Sequence, residues 1–201
     1  MKWIAPTLAY LAVGLGLFVF HSAWGALLGF HIAIIGSLLI VKPNIPVSIL
    51  FKSINIKWIF LSILLCGSSG IMLYLLWDSF GFANNVSTQV ESLGLNAHTW
   101  IPFIIYFAVV NPFVKEYFWR GYLGNESKRL HPSDFLYAGF HGLILIGKVQ
   151  PVSILLALSA LVAAGWSWRQ ILREDRGLLA PVLDHMAADL TILIAVFIKI
   201  D

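Results

Sequence analysis

The stretch Asn111–Leu123, N-P-F-V-K-E-Y-F-W-R-G-Y-L, places a lysine, a glutamate and an arginine where a long apolar run ends. Charged side chains at membrane depth are costly unless they are paired or face a cavity, so they usually mark a functional site. In a helix, Glu116 and Arg120 lie on one face, four residues apart, and can form an ion pair. Pro112 favours a kink before this pair, and Gly121 marks where the helix loosens. The alternative interpretation is an interfacial salt bridge, with the arginine extending to the lipid headgroups.

The composition is that of a polytopic membrane protein. The chain has 201 residues, of which 59% are hydrophobic and only 11% are charged, whereas about a quarter of the residues of a soluble domain are charged. We therefore expect an all-α membrane helix bundle that forms a single integral membrane domain over residues 1–201. Within it, residues 1–99 supply membrane-context helices and residues 100–201 supply the catalytic-type core.

Cysteine usage and net charge exclude two further classes of site. Cys66 is the single cysteine, so the chain has neither a disulfide framework nor a cysteine metal cluster. The net charge of +3 is spread over the loops, and it indicates membrane topology instead of a nucleic-acid-binding surface.

Apolar runs predict about seven transmembrane helices, at residues 3–20, 25–41, 58–77, 100–114, 134–147, 152–168 and 178–200. Residues 42–57 contain two prolines and three lysines, which is typical of a loop or a surface-lying segment. We expect Ser133 or Asp134 to cap the fifth helix. We expect residues 169–177, with three arginines, to form a polar connection before the last helix. The lone His31 in the second helix is interpreted as a hydrogen-bonded packing residue.

The loop cations predict the orientation of the bundle in the membrane. With seven spans, Lys2 and the cations of segments 42–57, 128–129 and 169–176 fall on one side, and the acidic loop 78–99 falls on the other. The positive-inside rule makes the first side cytoplasmic. We therefore expect a cytoplasmic N-terminus and an integral protein of the plasma (inner) membrane, with its candidate site on the cytoplasmic side.

Three predicted helices carry ionisable side chains that are out of place among apolar residues: Lys115, Glu116 and Arg120 at the end of the fourth, His141 in the fifth, and Asp184, His185 and Asp189 in the seventh. Each histidine lies about seven residues into a helix that starts on the same side. At 1.5 Å per residue, both are on the order of 10 Å deep. Scattered structural polar groups need not agree in depth, so we expect these side chains to line one cavity.

The residue types in this set favour hydrolysis. His185 and Asp189 are four residues apart and project to one face, while Asp184 is turned about 100° away. Carboxylates with two histidines suit general acid–base hydrolysis by water. A zinc site at Glu116, His141 and His185 and a proton relay of a carrier stay open as alternatives. The sequence contains no H-E-x-x-H or G-x-S-x-G motif that would supply a different site.

Three short motifs in one order resemble a known family. They are E-x-x-x-R at Glu116-Tyr-Phe-Trp-Arg120, F/Y-x-x-x-H at Tyr137-Ala-Gly-Phe-His141 and H-x-x-x-N/D at His185-Met-Ala-Ala-Asp189. In this order they resemble the CPBP glutamic intramembrane proteases, which include the type II CAAX prenyl endopeptidases and the bacteriocin-processing (Abi) proteins. The resemblance covers roughly residues 100–195 and implies an intramembrane protease that needs no cofactor.

The resemblance also implies a role for each matched residue. Glu116 and His141 would share the attacking water, and Arg120 would hold Glu116. His185 and Asp189 would orient the substrate carbonyl or stabilise its oxyanion. The aromatic residue of the second motif would support the site.

One position departs from the family pattern. The family has two adjacent glutamates, of which the first is usually credited with activating water, and this chain has Lys115 there. Three outcomes are physically possible: Glu116 serves as the base, Lys115 serves as a buried amine base, or the site is catalytically silent. A Lys115–Glu116 pair would keep the carboxylate ionised, as a base requires, or would lock it.

These observations predict a membrane endopeptidase of the CAAX-protease type. Its substrate would be a membrane-held protein or peptide, either lipidated or carrying a C-terminal anchor. The expected partners are membrane lipid and this substrate, without nucleic acid. A catalytically silent scaffold, immunity or regulatory protein is the first alternative, and a proton-coupled carrier is the second.

Overall fold

The computed structural model describes residues 3–200 of the chain, so Lys2 of the predicted charge pattern lies outside the described residues. The helices are α1 (Ile4–Gly14), α2 (Ala23–Val41), α3 (Ile56–Leu75), α4 (Val86–Ser92), α5 (Trp100–Val109), α6 (Asn111–Glu116), α7 (Pro132–Leu145), α8 (Pro151–Asp175) and α9 (Leu179–Ile200). Two π-helices extend α1 and α6, at Leu15–Val19 and Tyr117–Tyr122. Short 3₁₀ helices cover Val47–Phe51 and Asp78–Phe80.

The predicted polytopic helical membrane bundle is confirmed. Five helical stretches are long and apolar enough to cross a membrane, namely Ala23–Val41, Ile56–Leu75, Trp100–Tyr122, Pro151–Asp175 and Leu179–Ile200. The other two predicted spans are helical but shorter: Ile4–Val19 is a short apolar helix, and α7 has 14 residues. At 1.5 Å per residue, α7 spans about 21 Å, which is less than the roughly 30 Å of a bilayer core. The orientation of the bundle stays a prediction.

Of two local predictions around α7 and α8, one is wrong and one is correct in part. The polar connection predicted at 169–177 is mostly helix, because α8 continues to Asp175 and ends at Arg176 in the left-handed region, with φ of 51°. The N-cap residue of α7 is neither Ser133 nor Asp134, although the Asp134 side chain does take part in the cap. His131 is the N-cap residue, and the Asp134 carboxylate accepts its backbone N–H at 2.9 Å in a capping box.

The motif-bearing stretch has irregular backbone on both sides of Glu116. A break at Val110 separates α5 from α6, and Pro112 near the start of α6 has no N–H to donate to the preceding turn. After Glu116 the chain forms the π-helix Tyr117–Tyr122, which contains Gly121. Single π-turns inside helices are frequent at functional sites. The predicted kink and the predicted loosening therefore both have a counterpart in the backbone.

Small residues bring α3 against α9, which carries the third motif. The position of a Cβ on Gly67 would lie 3.7 Å from the Cβ of Ala187, and a Cβ on Gly70 would collide with the backbone of Thr191. Such close approach is typical of helix pairs in membranes. The main apolar core lies on the other side, where α1, α2 and α7 pack around Phe118 and Trp119 of the π-helix.

Candidate active site

Glu116 is the centre of the charged cluster. Its side chain is fully buried, and its Oε1 accepts hydrogen bonds from Arg120 Nη1 at 3.1 Å and from His185 Nδ1 at 2.8 Å. The ion pair predicted from the four-residue spacing is therefore present. The second carboxylate oxygen, Oε2, is buried and has no protein partner within residues 3–200. One oxygen of Glu116 is thus held by two donors, and the other is available to a water or a substrate.

The Arg120 guanidinium lies between two aromatic rings. Its Cζ is 3.8 Å from the centroid of the Tyr137 ring and 4.7 Å from that of Trp168. Cation–π contacts of this kind hold a guanidinium in place without using its N–H donors. Nη2 consequently has no hydrogen-bond partner among the described residues, and it lies next to Gly165, where a Cβ would come within 3.2 Å of it. Tyr137, which is expected to support the site, stacks on Arg120.

His185 connects Glu116 to the second carboxylate. Its Nε2 lies 3.5 Å from Asp189 Oδ2, and the two groups share one face of α9 as the spacing predicted. Its ring stacks on Trp168 with 4.9 Å between centroids. Asp184 points elsewhere and accepts a hydrogen bond from Trp168 Nε1, in agreement with its predicted turn away from His185. Trp168 therefore orients both Asp184 and His185, a role that sequence reasoning missed.

A chain of hydrogen bonds extends from Asp189 to α2. Asn111 Nδ2 donates to Asp189 Oδ2 at 3.0 Å, so Asn111 Oδ1 must accept from His31 Nε2, which lies 3.2 Å away. The other nitrogen of His31 then accepts from the Tyr106 hydroxyl at 3.0 Å. His31 is hydrogen-bonded and buried, as predicted, but its partners link it to the site. Since His31 and Asn111 are 80 residues apart, no local sequence pattern could have revealed this link.

His141 is not among the direct hydrogen-bond partners of Glu116. Its Nδ1 donates to the Tyr137 carbonyl at 3.0 Å, and its ring packs on Phe140 with 4.0 Å between centroids. The Tyr137 ring contacts the rings of both His141 and His185, at 5.2 and 5.9 Å between centroids. The structure thus brings Glu116 and His185 into direct contact and places His141 one ring away. With Nδ1 carrying the proton, Nε2 is the basic nitrogen of neutral His141.

Lys115 is buried without forming an ion pair with Glu116. It is 2% exposed, and its Nζ lies 5.1 Å from the Phe107 ring centroid and 5.0 Å from that of Phe140. No hydrogen-bond partner for Nζ and no Lys115–Glu116 salt bridge are found in the described part of the chain. No contact therefore supports the alternative in which the Lys115 ammonium holds the Glu116 carboxylate in an inactive ion pair.

The geometry does not support the zinc alternative. Within residues 3–200, no three His, Cys, Asp or Glu side chains are arranged so that they could hold a metal ion. Of the residues proposed for zinc, Glu116 and His185 are in direct contact, whereas the hydrogen bond of His141 is to the Tyr137 carbonyl and to neither of them. The contacts instead suit a carboxylate base oriented by charged and aromatic neighbours.

A cavity of about 550 Å³ borders the cluster at Arg120 and continues along α8. The cavity predicted to be shared by all the ionisable groups is therefore not this one, because Arg120 is the one member of the charged cluster that lines it. The carboxylate and the two imidazoles are not among the residues that line it.

Comparison with known proteins identifies one family. Residues 97–191 match the family model described as type II CAAX prenyl endopeptidase Rce1-like. This range contains all three motifs, from Glu116 to Asp189, and the match confirms the resemblance predicted from them. No curated protein and no solved structure matches the chain.

Proposed function

We propose that this chain, which over residues 97–191 belongs to the Rce1-like type II CAAX prenyl endopeptidases, is an intramembrane endopeptidase. Its substrate is a membrane-held protein or peptide that is lipidated near its C-terminus or carries a C-terminal anchor. The observation that carries the proposal is the buried Glu116 carboxylate, with two donors on Oε1 and no protein partner on Oε2.

Glu116 is the general base of this mechanism. Hydrogen bonds from a guanidinium and an imidazole favour the ionised carboxylate, and the free Oε2 accepts a hydrogen bond from water. The carboxylate removes a proton from the water as its oxygen attacks the scissile carbonyl carbon. The protonated Glu116 then gives that proton to the leaving amine, so the carboxylate is regenerated. His141 shares the water through its basic Nε2.

The oxyanion role implied for Asp189 does not suit its contacts. An ionised carboxylate has no donor, and Asp189 already accepts from Asn111. It is better suited to orient His185 through the ring nitrogen that faces it. Lys115 Nζ, which is a buried donor without a partner, supplies the missing N–H to the developing oxyanion.

The expected site faces the cytoplasm in the plasma (inner) membrane. The proposal follows from the positive-inside rule, because with seven spans the cationic segments 42–57, 128–129 and 169–176 fall on one side, the last of them at the end of α8. Glu116 lies two turns or fewer from the end of its helical stretch on that side.

A direct test uses the purified chain in phosphatidylcholine vesicles. Two quenched fluorescent peptides of identical sequence, one farnesylated at a cysteine four residues from a free C-terminus and one not, would be offered to it. We expect cleavage of the farnesylated peptide and much slower cleavage of the other, because only the first is held at the membrane. A third peptide with an apolar C-terminal anchor distinguishes the two substrate classes. Cleavage of none of the three would favour the silent alternative.

A non-catalytic scaffold is the second candidate, and the burial of Glu116 and His185 favours it. A silent site needs no access for a peptide, and its charged residues would serve packing alone. This candidate predicts that His185→Ala preserves the cellular role when the variant reaches normal abundance. Loss of that role at unchanged abundance would contradict it.

A further inference from the structure

The cavity of about 550 Å³ next to Arg120 is lined by one cationic face of α8. Arg169, Arg173 and Arg176 follow one another at spacings of four and three, and Leu172 comes three residues after Arg169. These spacings place Arg169 and Arg173 on one side of α8, and Arg176 follows directly after its last residue. The other wall contains the apolar side chains of Ile45 and Ile49. Ile49 belongs to the 3₁₀ helix Val47–Phe51, and Ile45 lies just before it. The cavity therefore has a basic wall and an apolar wall.

Two of its arginines are available to a ligand. Arg169 is engaged with Asp134 and the loop 125–129, so its donors serve the fold. Arg173 has only a distant carboxylate, Glu174 at 3.8 Å. The Arg176 side chain forms no hydrogen bond or ion pair with residues 3–200, and Glu126 is the one acidic residue on the wall.

The length of α8 places the cavity near the expected level of the lipid phosphates. Helix α8 has 25 residues and is about 37 Å long, so its arginine end extends beyond a hydrocarbon core of roughly 30 Å. Beside the cavity, Val47, Phe51 and Ile54 are 62%, 64% and 74% exposed. Apolar side chains facing outward from a short segment of this kind are typical of a chain that lies in the membrane interface.

The walls of the cavity are fixed to each other by hydrogen bonds. Asp175 Oδ1, buried at the end of α8, accepts the N–H groups of Ile54 and Asn55, each at 2.7 Å. The N–H of Leu178 donates to the Ile49 carbonyl at 2.8 Å. The apolar wall and the basic wall therefore hold their separation without a ligand, which lowers the ordering cost of binding one.

We propose that this cavity binds the phosphate of an anionic phospholipid, with Arg173 and Arg176 as its ligands. The fork of a guanidinium matches two phosphate oxygens, and the acyl chains would continue along the exposed apolar side chains of the 3₁₀ segment. Free phosphate and the C-terminal carboxylate of a peptide offer similar oxygens, but neither brings the pair of acyl chains of a phospholipid to that surface. Arg173 and Arg176 have no role in the proposed hydrolysis, so lipid binding can be tested separately from the proposed function.

The test measures lipid retention on the purified full-length chain by native mass spectrometry. The probes are dioleoylphosphatidylglycerol, dioleoylphosphatidylcholine, inorganic phosphate and a pentapeptide with a free C-terminus. The double variant Arg173→Gln/Arg176→Gln removes the proposed ligands. Lys128→Gln/Arg129→Gln is the matched control, because it removes the same charge from exposed side chains of the neighbouring loop that do not line the cavity.

We expect retention of phosphatidylglycerol to fall about tenfold to thirtyfold in the cavity variant, given about 1 kcal/mol for each cation near an anionic lipid, and less than about threefold in the control. An unchanged thermal midpoint would show that the cavity variant is folded, and Arg176→Gln alone replaces it if it is not. Equal losses in both double variants would overturn the proposal in favour of general surface attraction. Arginine-dependent binding of the peptide or of phosphate, without retention of phosphatidylglycerol, would overturn it too.

Discussion

This bundle contains two buried arginine–carboxylate pairs that differ in how many of their polar atoms have a hydrogen-bond partner. Arg169 and Asp134 are 1% and 3% exposed, with 2.8 Å between Nη2 and Oδ2. Arg120 and Glu116 are 2% and 0% exposed, with 3.1 Å between Nη1 and Oε1. Burial and distance are nearly the same, so neither of them separates a structural pair from a functional one.

The difference lies in the remaining polar atoms. Every side-chain nitrogen of Arg169 has a partner, from Asp134, Asn125 or the backbone carbonyls of Ser127 and Arg129. At the other pair, Arg120 Nη2 and Glu116 Oε2 are buried without partners in the described part of the chain. Unsatisfied buried polar atoms are costly, and a chain tolerates them where another molecule is to be bound. The saturated pair thus holds the fold, and the unsaturated pair is suited to chemistry.

The largest expected effect on the comparison between the two pairs comes from removing the proposed base, Glu116. Glu116→Gln keeps the shape and one acceptor of the side chain but cannot take a proton from water. We expect kcat for a membrane-held peptide to fall about 100-fold to 10,000-fold, with little change in the thermal midpoint of the purified protein. An active Glu116→Gln variant would show that the carboxylate is not the base.

Arg169→Met is the matching change at the saturated pair. It leaves the Asp134 carboxylate buried and uncompensated, and it removes the donors that hold the loop 125–129. We expect the free energy of unfolding to fall by about 3–5 kcal/mol, measured by chemical denaturation in detergent. Activity per folded molecule should change far less than in Glu116→Gln. A stable, inactive Arg169→Met would reverse the assignment of the two pairs.

Lys115 adds to the comparison because its Nζ is a third buried polar atom of the same cluster that has no hydrogen-bond partner among the described residues. Lys115→Met removes the N–H donor proposed for the oxyanion, and we expect kcat to fall about 100-fold. Lys115→Glu restores the adjacent glutamates of the family but removes the same N–H donor, so a preserved or raised rate in this variant would also count against the donor role. Lys148→Met, which removes a lysine from the turn before α8, is the control. Equal rates for Lys115→Met and the native chain would exclude the donor role.

The smallest expected effect concerns Asn111. Asn111→Leu deprives Asp189 of its amide donor and leaves His31 Nε2 unpaired. Because Asp189 only orients His185, we expect kcat to fall about tenfold while KM changes less than about twofold, consistent with about 1–3 kcal/mol for an unsatisfied buried group. Tyr106→Phe, at the far end of the chain of hydrogen bonds, should change kcat by less than about twofold. A parallel rise in KM would indicate a role in substrate binding instead.

The residues that sequence reasoning placed correctly are those related by helical spacing. Glu116 with Arg120 and His185 with Asp189 are each four residues apart, and the backbone period alone brings each pair to one face. The match over residues 97–191 also agrees with the motifs. The orientation, the substrate and the part played by each matched residue stay predictions.

What sequence reasoning missed depends on contacts between distant helices. His31 and Asn111 are 80 residues apart, and no local pattern links them. The extension of α8 through Arg169 was missed because an arginine after an apolar run is typical of a polar loop. Its burial in a helix is explained only by its partners in the segment 125–134. The direction in which His141 points could not be predicted from its depth along the helix axis, because the rotation of α7 depends on the packing of Tyr137 against Arg120 and Trp168.

The most direct measurement of the central claim compares protein C-termini in living cells. A strain lacking this chain would be complemented either with the native sequence or with Glu116→Gln at equal abundance, and its membrane-associated proteins would be compared by C-terminal proteomics. If the unsaturated carboxylate activates water, at least one protein keeps an unprocessed C-terminus in the Glu116→Gln strain and loses it in the native strain. Identical sets of processed termini in the two complemented strains would contradict the account.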